Sequence, residues 1–464
     1  MESVKNTESK GFYKLSWLQR IGFGAGDLAQ NLIYQAVAFK LLFFYTNVFG
    51  ISPAAAGFMF LIVRLVDVLW DPFVGAFVDK HNPKIGKYRA YLLLGGVPLT
   101  GLAILTFWSG FSGQLWYAYI TYVSMSLAYT LVNVPYGALN ASLTRDTDEI
   151  TKLTSVRMFM ANIGGLAVQL GIPLIIQHFS PNNDWSKPAS SPVWFTVMAV
   201  YALIGFGLLS FCFTQCRERV VMKEEKTHDV KYADLFTEFV RNRPLRVLAL
   251  FFITAFAMMA VGGSASAYYM QYNIGRPDAT GWFDALGTLP AFLFLPLVPA
   301  IKKAIGKKNM FYVFLTVAIL GMGMLYIVSV VPSLKTNLTL IYIAQFIKST
   351  GIIVSTGYMW ALVPEVISYG EWKSGKRISG VVNALTGIFF KAGFAIGGAI
   401  PGFVLAYVGF NKDIDTQSAF AQQGILWLIV VIPAALLLLA MFVISKYELE
   451  DPVIDKINRE IERN

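Results

Sequence analysis

Twelve apolar stretches separated by short polar ones organise the chain between residues 21 and 445. They cover residues 21–47, 54–78, 91–109, 115–140, 156–177, 193–215, 247–270, 281–301, 310–331, 338–363, 380–408 and 423–445. Crossing a bilayer as a helix takes ~20 mostly apolar residues. The pattern therefore predicts an all-α membrane protein with twelve transmembrane helices. The longest polar interruption divides the twelve into two halves. Residues 1–216 are expected to form an N-terminal six-helix bundle, 217–246 a cytoplasmic linker and 247–446 a C-terminal six-helix bundle. Residues 447–464 are expected to form a charged tail, either solvated or a surface helix. The halves share faint internal similarity. Phe43-Phe44-Tyr45-Thr46-Asn47-Val48-Phe49-Gly50 ends the first span, and Tyr268-Tyr269-Met270-Gln271-Tyr272-Asn273-Ile274-Gly275 ends the seventh. Val134-Pro135 and Val363-Pro364 occupy the fourth and tenth spans, and Gly164-Gly165 and Gly397-Gly398 the fifth and eleventh. Three matches in the same order point to duplicated halves.

Polar residues inside the apolar stretches carry the functional signal. In the second span, Arg64, Asp67 and Asp71 are offset by three and seven residues, which puts them on one stripe of a helix. A charge at bilayer depth costs roughly 2.5–3.5 kcal/mol on insertion scales, so such residues face the protein interior and carry function. Two carboxylates and a guanidinium on one face suit a cation or proton site with its counter-charge. The first span bears Asp27, Asn31 and Gln35 at every fourth position, with Tyr34 beside them. The fourth bears Ser126, Tyr129, Thr130 and Asn133, the fifth Arg157, and the eleventh Asn383, Thr386 and Lys391. Amides and carboxylates serve two sugar hydroxyls at once, so the set predicts a hydrogen-bonding substrate cavity. The competing reading is polar glue between helices. Lys40 lies opposite Asn31 on its helix, which suits snorkelling. Lys348 follows Gln345 by three residues.

Composition narrows the class. The chain is 56% hydrophobic and 14% charged, with a net charge of +10. Soluble domains carry about 25% charged residues. The basic residues gather in alternate loops, so the charge reads as a positive-inside bias rather than a nucleic-acid surface. That bias places both termini in the cytoplasm of a multi-pass protein of the bacterial inner membrane. The opening residues are polar and basic, so no cleavable leader is expected. The two cysteines, Cys212 and Cys216, lie one turn apart and suit packing better than metal ligation. Gly22-Phe23-Gly24-Ala25-Gly26 follows no strand and opens a membrane helix, which argues against a dinucleotide site. No nucleophile–base pair, phosphate loop or metal motif is present in the sequence, and the three histidines are scattered in loops. No enzyme activity, resident cofactor or obligate protein partner is expected.

At these residues the sequence resembles the glycoside–pentoside–hexuronide:cation symporters, the family of melibiose permease. The resemblance spans nearly the whole chain. It rests on Arg64-x-x-Asp67-x-x-x-Asp71-Pro72, on Gly86-Lys87-Tyr88-Arg89, on Asn133-x-Pro135-Tyr136, on Tyr369-Gly370-Glu371-Trp372 and on Lys391. It implies the major facilitator fold, with two six-helix pseudo-repeats. It implies that Asp67 and Asp71 bind the coupling cation, H+ or Na+, helped by Thr130, and that Arg157 and Lys391 line the substrate site. It also implies a cytoplasmic gate of charges at Glu365 and Arg377, with Asp79 and Arg89 playing the same part in the other half. Asn31 and Asn133 stand where melibiose permease has acids that grip its galactoside. Trp70 stands where it has an asparagine before the second carboxylate, and Gly137 where it has an aromatic residue. The amides look more like the pentoside and hexuronide branch.

The expected function is cation-coupled symport of a sugar or glycoside by alternating access. Asn31, Tyr34, Gln35, Arg64, Asn133, Tyr136, Arg157, Thr386 and Lys391 are its expected substrate contacts. The alternatives are symport of another small polar or anionic solute, or lipid transport on the same fold.

Overall fold

The computed structural model describes residues 13–144, 146–219, 237, 239–374 and 379–463. Among the described residues the regular structure is entirely helical. Among these residues, ten helices are long and apolar enough to cross a membrane. In the place of the third expected span, the apolar stretch Ala90–Thr106 is shorter. In the place of the fourth stands the 29-residue helix Leu115–Leu143. The chain divides into two compact units between residues 225 and 226. Most of the expected linker, 220–236 and 238, lies outside the described residues, as do Arg377 and the side chain of Asp79.

Local chemistry sets the helix ends. Ser16 caps the first helix, Trp17–Phe43, in a reciprocal capping box with Gln19, so this helix starts earlier than hydropathy alone suggests. Ser52 caps the second, Pro53–Lys80, and Pro53 opens it. The expected single stretch 338–363 is interrupted. One helix ends at Met359 and another runs Leu362–Ser374.

The two units repeat one pairing pattern. In the first, helix Trp17–Phe43 packs chiefly on Thr147–Leu166 and Ser191–Gln215, while Pro53–Lys80 packs on Leu115–Leu143. In the second, Arg243–Tyr268 packs on Ser379–Tyr407 and Ile432–Ser445, while Thr280–Phe294 packs on Leu338–Met359. The leading helix of each unit ends alike. Phe44–Phe49 is a π-helical turn closed by Gly50 at φ 94°, and Tyr269–Ile274 is one closed by Gly275 at φ 72°. Only glycine adopts such angles without strain. Both glycines are the final residues of the repeated sequence motif.

The glycine run in the first helix is a packing surface. A methyl group on Gly26 would come within 2.5 Å of the Tyr136 ring, and one on Gly22 within 2.5 Å of Gln215. Small residues here let helices approach closely, which accounts for the pattern without a nucleotide.

Candidate transport site

The second helix reaches its neighbours through charge. Arg64 Nη1 donates to Asp67 Oδ2 at 3.1 Å, and Ser126 Oγ donates to Asp67 Oδ1 at 2.6 Å. Arg64 and Asp67 are 8% and 3% exposed. Withdrawing two charges from water is costly, and such a pair persists only when further hydrogen bonds complete it. Ser126 supplies one. One turn on, Thr130 Oγ1 donates to Asp71 Oδ1 at 3.3 Å. Pro72 lies inside this helix and lacks the N–H that would bond back to Val68, so the ladder is interrupted beside Asp71. The Trp70 indole donates to Leu127 O of the fourth helix at 3.3 Å. The Tyr122 hydroxyl is buried, has no hydrogen-bond partner among the described residues, and lies within electrostatic range of Arg64 and Asp67.

A second network runs along the first helix. Arg157 Nε donates to Asp27 Oδ2 at 2.8 Å. Asn31 Nδ2 donates to the Asp27 carbonyl at 2.9 Å, and Gln35 Nε2 donates to Asn31 Oδ1 at 3.3 Å. The every-fourth-residue spacing thus becomes a chain of hydrogen bonds ending on a cation. Asn133 Nδ2 donates to Gln30 Oε1 at 2.9 Å and approaches the Tyr129 hydroxyl at 3.4 Å. Tyr136 donates its hydroxyl to Phe23 O at 2.6 Å and presents its ring to the Arg157 guanidinium, 5.2 Å from the ring centre. Arg64 lies over Tyr34 at 5.4 Å, and Tyr34 stacks on Tyr129 at 5.4 Å.

The first unit therefore gathers the expected residues Asn31, Tyr34, Gln35, Arg64, Asp67, Asp71, Thr130, Asn133, Tyr136 and Arg157 into two adjoining networks. Lys391 and Thr386 belong to the second unit, on helix Ser379–Tyr407. Thr386 is buried, with its hydroxyl donated to Val382 O of its own helix at 2.8 Å. Lys348 is buried between helices Leu338–Met359 and Thr280–Phe294, its ammonium 5.7 Å from the Phe283 ring centre. Asp284 supplies the opposite charge there. Lys40 is fully buried.

Three partners escaped the sequence reading. Asp27 stood in the stripe, yet nothing in the spacing showed that it holds Arg157. Gln30 lies off that stripe and is identified only by its bond to Asn133. Glu365 was read as a gate with Arg377. It accepts from Lys307 at 2.7 and 2.8 Å and from the Tyr447 hydroxyl at 3.0 Å. Arg89, the other described gate residue, donates to Ile85 O at 2.7 Å. The Glu218 carboxylate accepts from the backbone N–H groups of Lys87, Tyr88 and Arg89 at 3.0, 2.7 and 2.8 Å.

The MFS/sugar transport protein family matches residues 22–451. The chain belongs to that family. It is 43% identical over 457 residues to the symporter YnaJ of Bacillus subtilis, covering 98% of this chain and 96% of that protein. It is 32% identical to the glucuronide carrier protein homolog of Escherichia coli, covering 97% and 96%. It is 30% identical to the isoprimeverose transporter of Lactiplantibacillus pentosus, covering 88% and 84%. The resemblance to glycoside–pentoside–hexuronide:cation symporters is thereby established, and with it sugar–cation symport as the function of the family. Its members and structural neighbours are transporters, and the chain is a multi-pass membrane protein. The nucleoside transporter NupG superposes with a TM-score of 0.63 at 13% identity, covering 93% of this chain and 100% of that one. A structure of proton dependent oligopeptide transporters superposes at 0.66 and 13%, covering 95% and 99%. Both share the major facilitator fold.

Proposed function

We propose that this protein takes up a sugar or glycoside across the bacterial inner membrane with a coupling cation, both termini lying in the cytoplasm. The observation that carries the reading is the joining of a carboxylate cluster, Asp67 and Asp71 with Ser126 and Thr130, to an amide-and-cation network on neighbouring helices. The first is the cation site. The second, with Asn31, Gln35, Asn133 and Arg157, faces the sugar. A charged, empty site is costly at low dielectric; filling it lets the two six-helix halves rock around it.

The coupling ion is a proton. Both oxygens of Asp67 are already engaged, one by the permanent cation Arg64. Asp71 is then the carboxylate whose charge the ion neutralises, and one proton suffices. Trp70 points its indole at Leu127 and adds no oxygen ligand for sodium.

The substrate is a pentoside, a neutral oligosaccharide or a hexuronide. Amides at 31 and 133 beside Arg157 leave the pocket less negative than one lined by acids. Relatives named for glucuronide and isoprimeverose fit that range. Uptake of a labelled glycoside panel into vesicles, with pH and sodium gradients imposed separately, tests the reading. Accumulation driven by the pH gradient and collapsed by a protonophore is expected. Accumulation that ignores a protonophore and requires sodium reverses the ion assignment.

A further inference from the structure

We propose that the stacked pair Tyr34–Tyr129 transmits the state of the cation site to the sugar-facing amides, making both tyrosines positioning residues for coupling. The proposal rests on the reading of Asp67 and Asp71 as the cation site and Asn133 as a sugar ligand.

Arg64 has two neighbours of different chemistry. On one side it donates to the Asp67 carboxylate; on the other it lies over the Tyr34 ring. A guanidinium over an aromatic face is attracted by the ring quadrupole, more strongly when both are desolvated. Arg64 is buried. When the charge near Asp67 changes, the pull on Arg64 from its carboxylate side changes while the pull from Tyr34 does not. The balance point of the guanidinium therefore shifts along the line between them.

Tyr34 passes that shift on. Its ring stacks on Tyr129 with an interplanar angle of 28°. Offset-stacked rings lose attraction when displaced, so the two move together. The Tyr129 hydroxyl meets Asn133 Nδ2, which also holds Gln30. The contact path runs from Asp67 through Arg64, Tyr34 and Tyr129 to Asn133. Elsewhere the first helix touches the second and fourth only sparsely, since its main partners are the fifth and sixth. The fourth helix also meets the first at Tyr136–Phe23 and Asn133–Gln30.

The fourth helix is built for this task. Ser126 and Thr130 reach the carboxylates of the second helix, whereas Tyr129 and Asn133 reach the first. A small rotation of this one helix alters both faces together. Neither tyrosine needs to touch cation or sugar to link them.

The test is binding linkage. Affinities of p-nitrophenyl xyloside and p-nitrophenyl glucuronide are measured on full-length protein in vesicles, at low and high proton concentration and with and without sodium. Coupling between sites is typically 5–150-fold. Tyr34→Leu and Tyr129→Leu are each expected to reduce the ion-dependent gain in affinity to within about twofold while saturable binding persists. The double variant is expected to lose no more than either single one. Tyr34→Phe keeps both rings and is expected to retain the parental gain. Tyr129→Phe keeps the stack, drops the hydroxyl contact and is expected to give an intermediate gain. These phenylalanine variants preserve the core volume and decide the matter if a leucine variant does not fold. A parental gain in Tyr129→Phe and in every leucine variant that folds overturns the proposal. So does a uniform loss of affinity that leaves the gain unchanged. Asp71→Asn separates this proposal from the reading beneath it. If Asp71→Asn keeps the ion-dependent gain, the cation-site reading fails; if it loses the gain and the tyrosine variants keep it, only the tyrosine link fails.

Discussion

At the residue scale, much of the site is set by atoms that are absent. Gly26 lets the Tyr136 ring close on the first helix, and that ring supports the Arg157 guanidinium. A valine there would set its Cβ 2.5 Å from that ring, so the ring would have to shift. Small-to-large changes in close-packed cores cost about 1–3 kcal/mol. Gly26→Val is therefore expected to lower thermal stability and weaken sugar affinity together, whereas Gly137→Ala, with open space around it, leaves both unchanged. Thermal unfolding in detergent and equilibrium binding check the pair. Equal behaviour of the two variants would remove Tyr136 as the support of Arg157. The sequence shows the glycines but not what they meet. It likewise displays Asp27, Asn31 and Gln35 as a stripe, because spacing alone makes a stripe. The partners across helices, Arg157 for Asp27 and Gln30 for Asn133, depend on which faces meet, and hydropathy does not encode that.

At the element scale, the tail is a surface helix with a specific dock. Residues after the last span read as a charged, solvated or surface helix. The structure docks helix Asp451–Arg463 on helix Leu362–Ser374, with Ile457 buried and Trp372 donating to Glu460 at 2.7 Å. Lys307 is the centre of this joint. It pairs with Glu365 at 2.7 Å, donates to Leu449 O at 2.9 Å and lies 3.1 Å from Asp451. The sequence showed Lys307 only as one basic loop residue among several, since the contact is with residues 58 to 144 positions away. Removing one member of a buried pair strands the other, at a cost of about 3–5 kcal/mol. Lys307→Ala is expected to loosen the tail and destabilise the second unit, with Glu365→Gln in the same background restoring part of the loss. Acid acts on the same joint. Burial pushes the Asp451 carboxyl up, but its bonds to Lys302 and Lys307 outweigh this and hold it below the usual carboxylate range. Its contribution is therefore complete above its unfolded value and is lost as pH falls through the lower folded one. A spin label at position 459 is expected to become more mobile below about pH 4 in the parent. A Lys307→Ala protein already mobile at neutral pH would agree; equal, low mobility at every pH in both proteins would show that the apolar face alone docks the tail.

At the scale of the whole molecule, coupling means that sugar crosses with its ion or not at all. The alternation of apolar stretches and the doubled motifs made the fold legible. Helix pairing repeats between units because the same small and polar positions recur in each. The carboxylates in the second span were legible for a different reason: charge inside an apolar stretch has few uses. What the sequence withheld is the inequality of the two. Asp67 is locked between Arg64 and Ser126, whereas the bond that Thr130 gives Asp71 is longer, at 3.3 Å. In the proposed mechanism the ion-linked step falls to Asp71, because both oxygens of Asp67 are engaged. Asp71→Asn is isosteric and removes the charge that the ion must neutralise, so the loaded and unloaded forms become alike. Such a carrier can still reorient with sugar bound. It is expected to exchange labelled for unlabelled sugar across vesicles at a rate within a few-fold of the parent, while accumulation against a gradient disappears. Asp67→Asn strands the Arg64 charge and is expected to damage binding and exchange as well as accumulation, because an unpaired buried charge costs several kcal/mol. Counterflow and gradient-driven uptake, measured on both variants in the same vesicles, separate the two roles. Full accumulation by Asp71→Asn would remove Asp71 from coupling; identical defects in the two variants would mean that the carboxylates share the ion equally and that the locked geometry of Asp67 has no part in coupling.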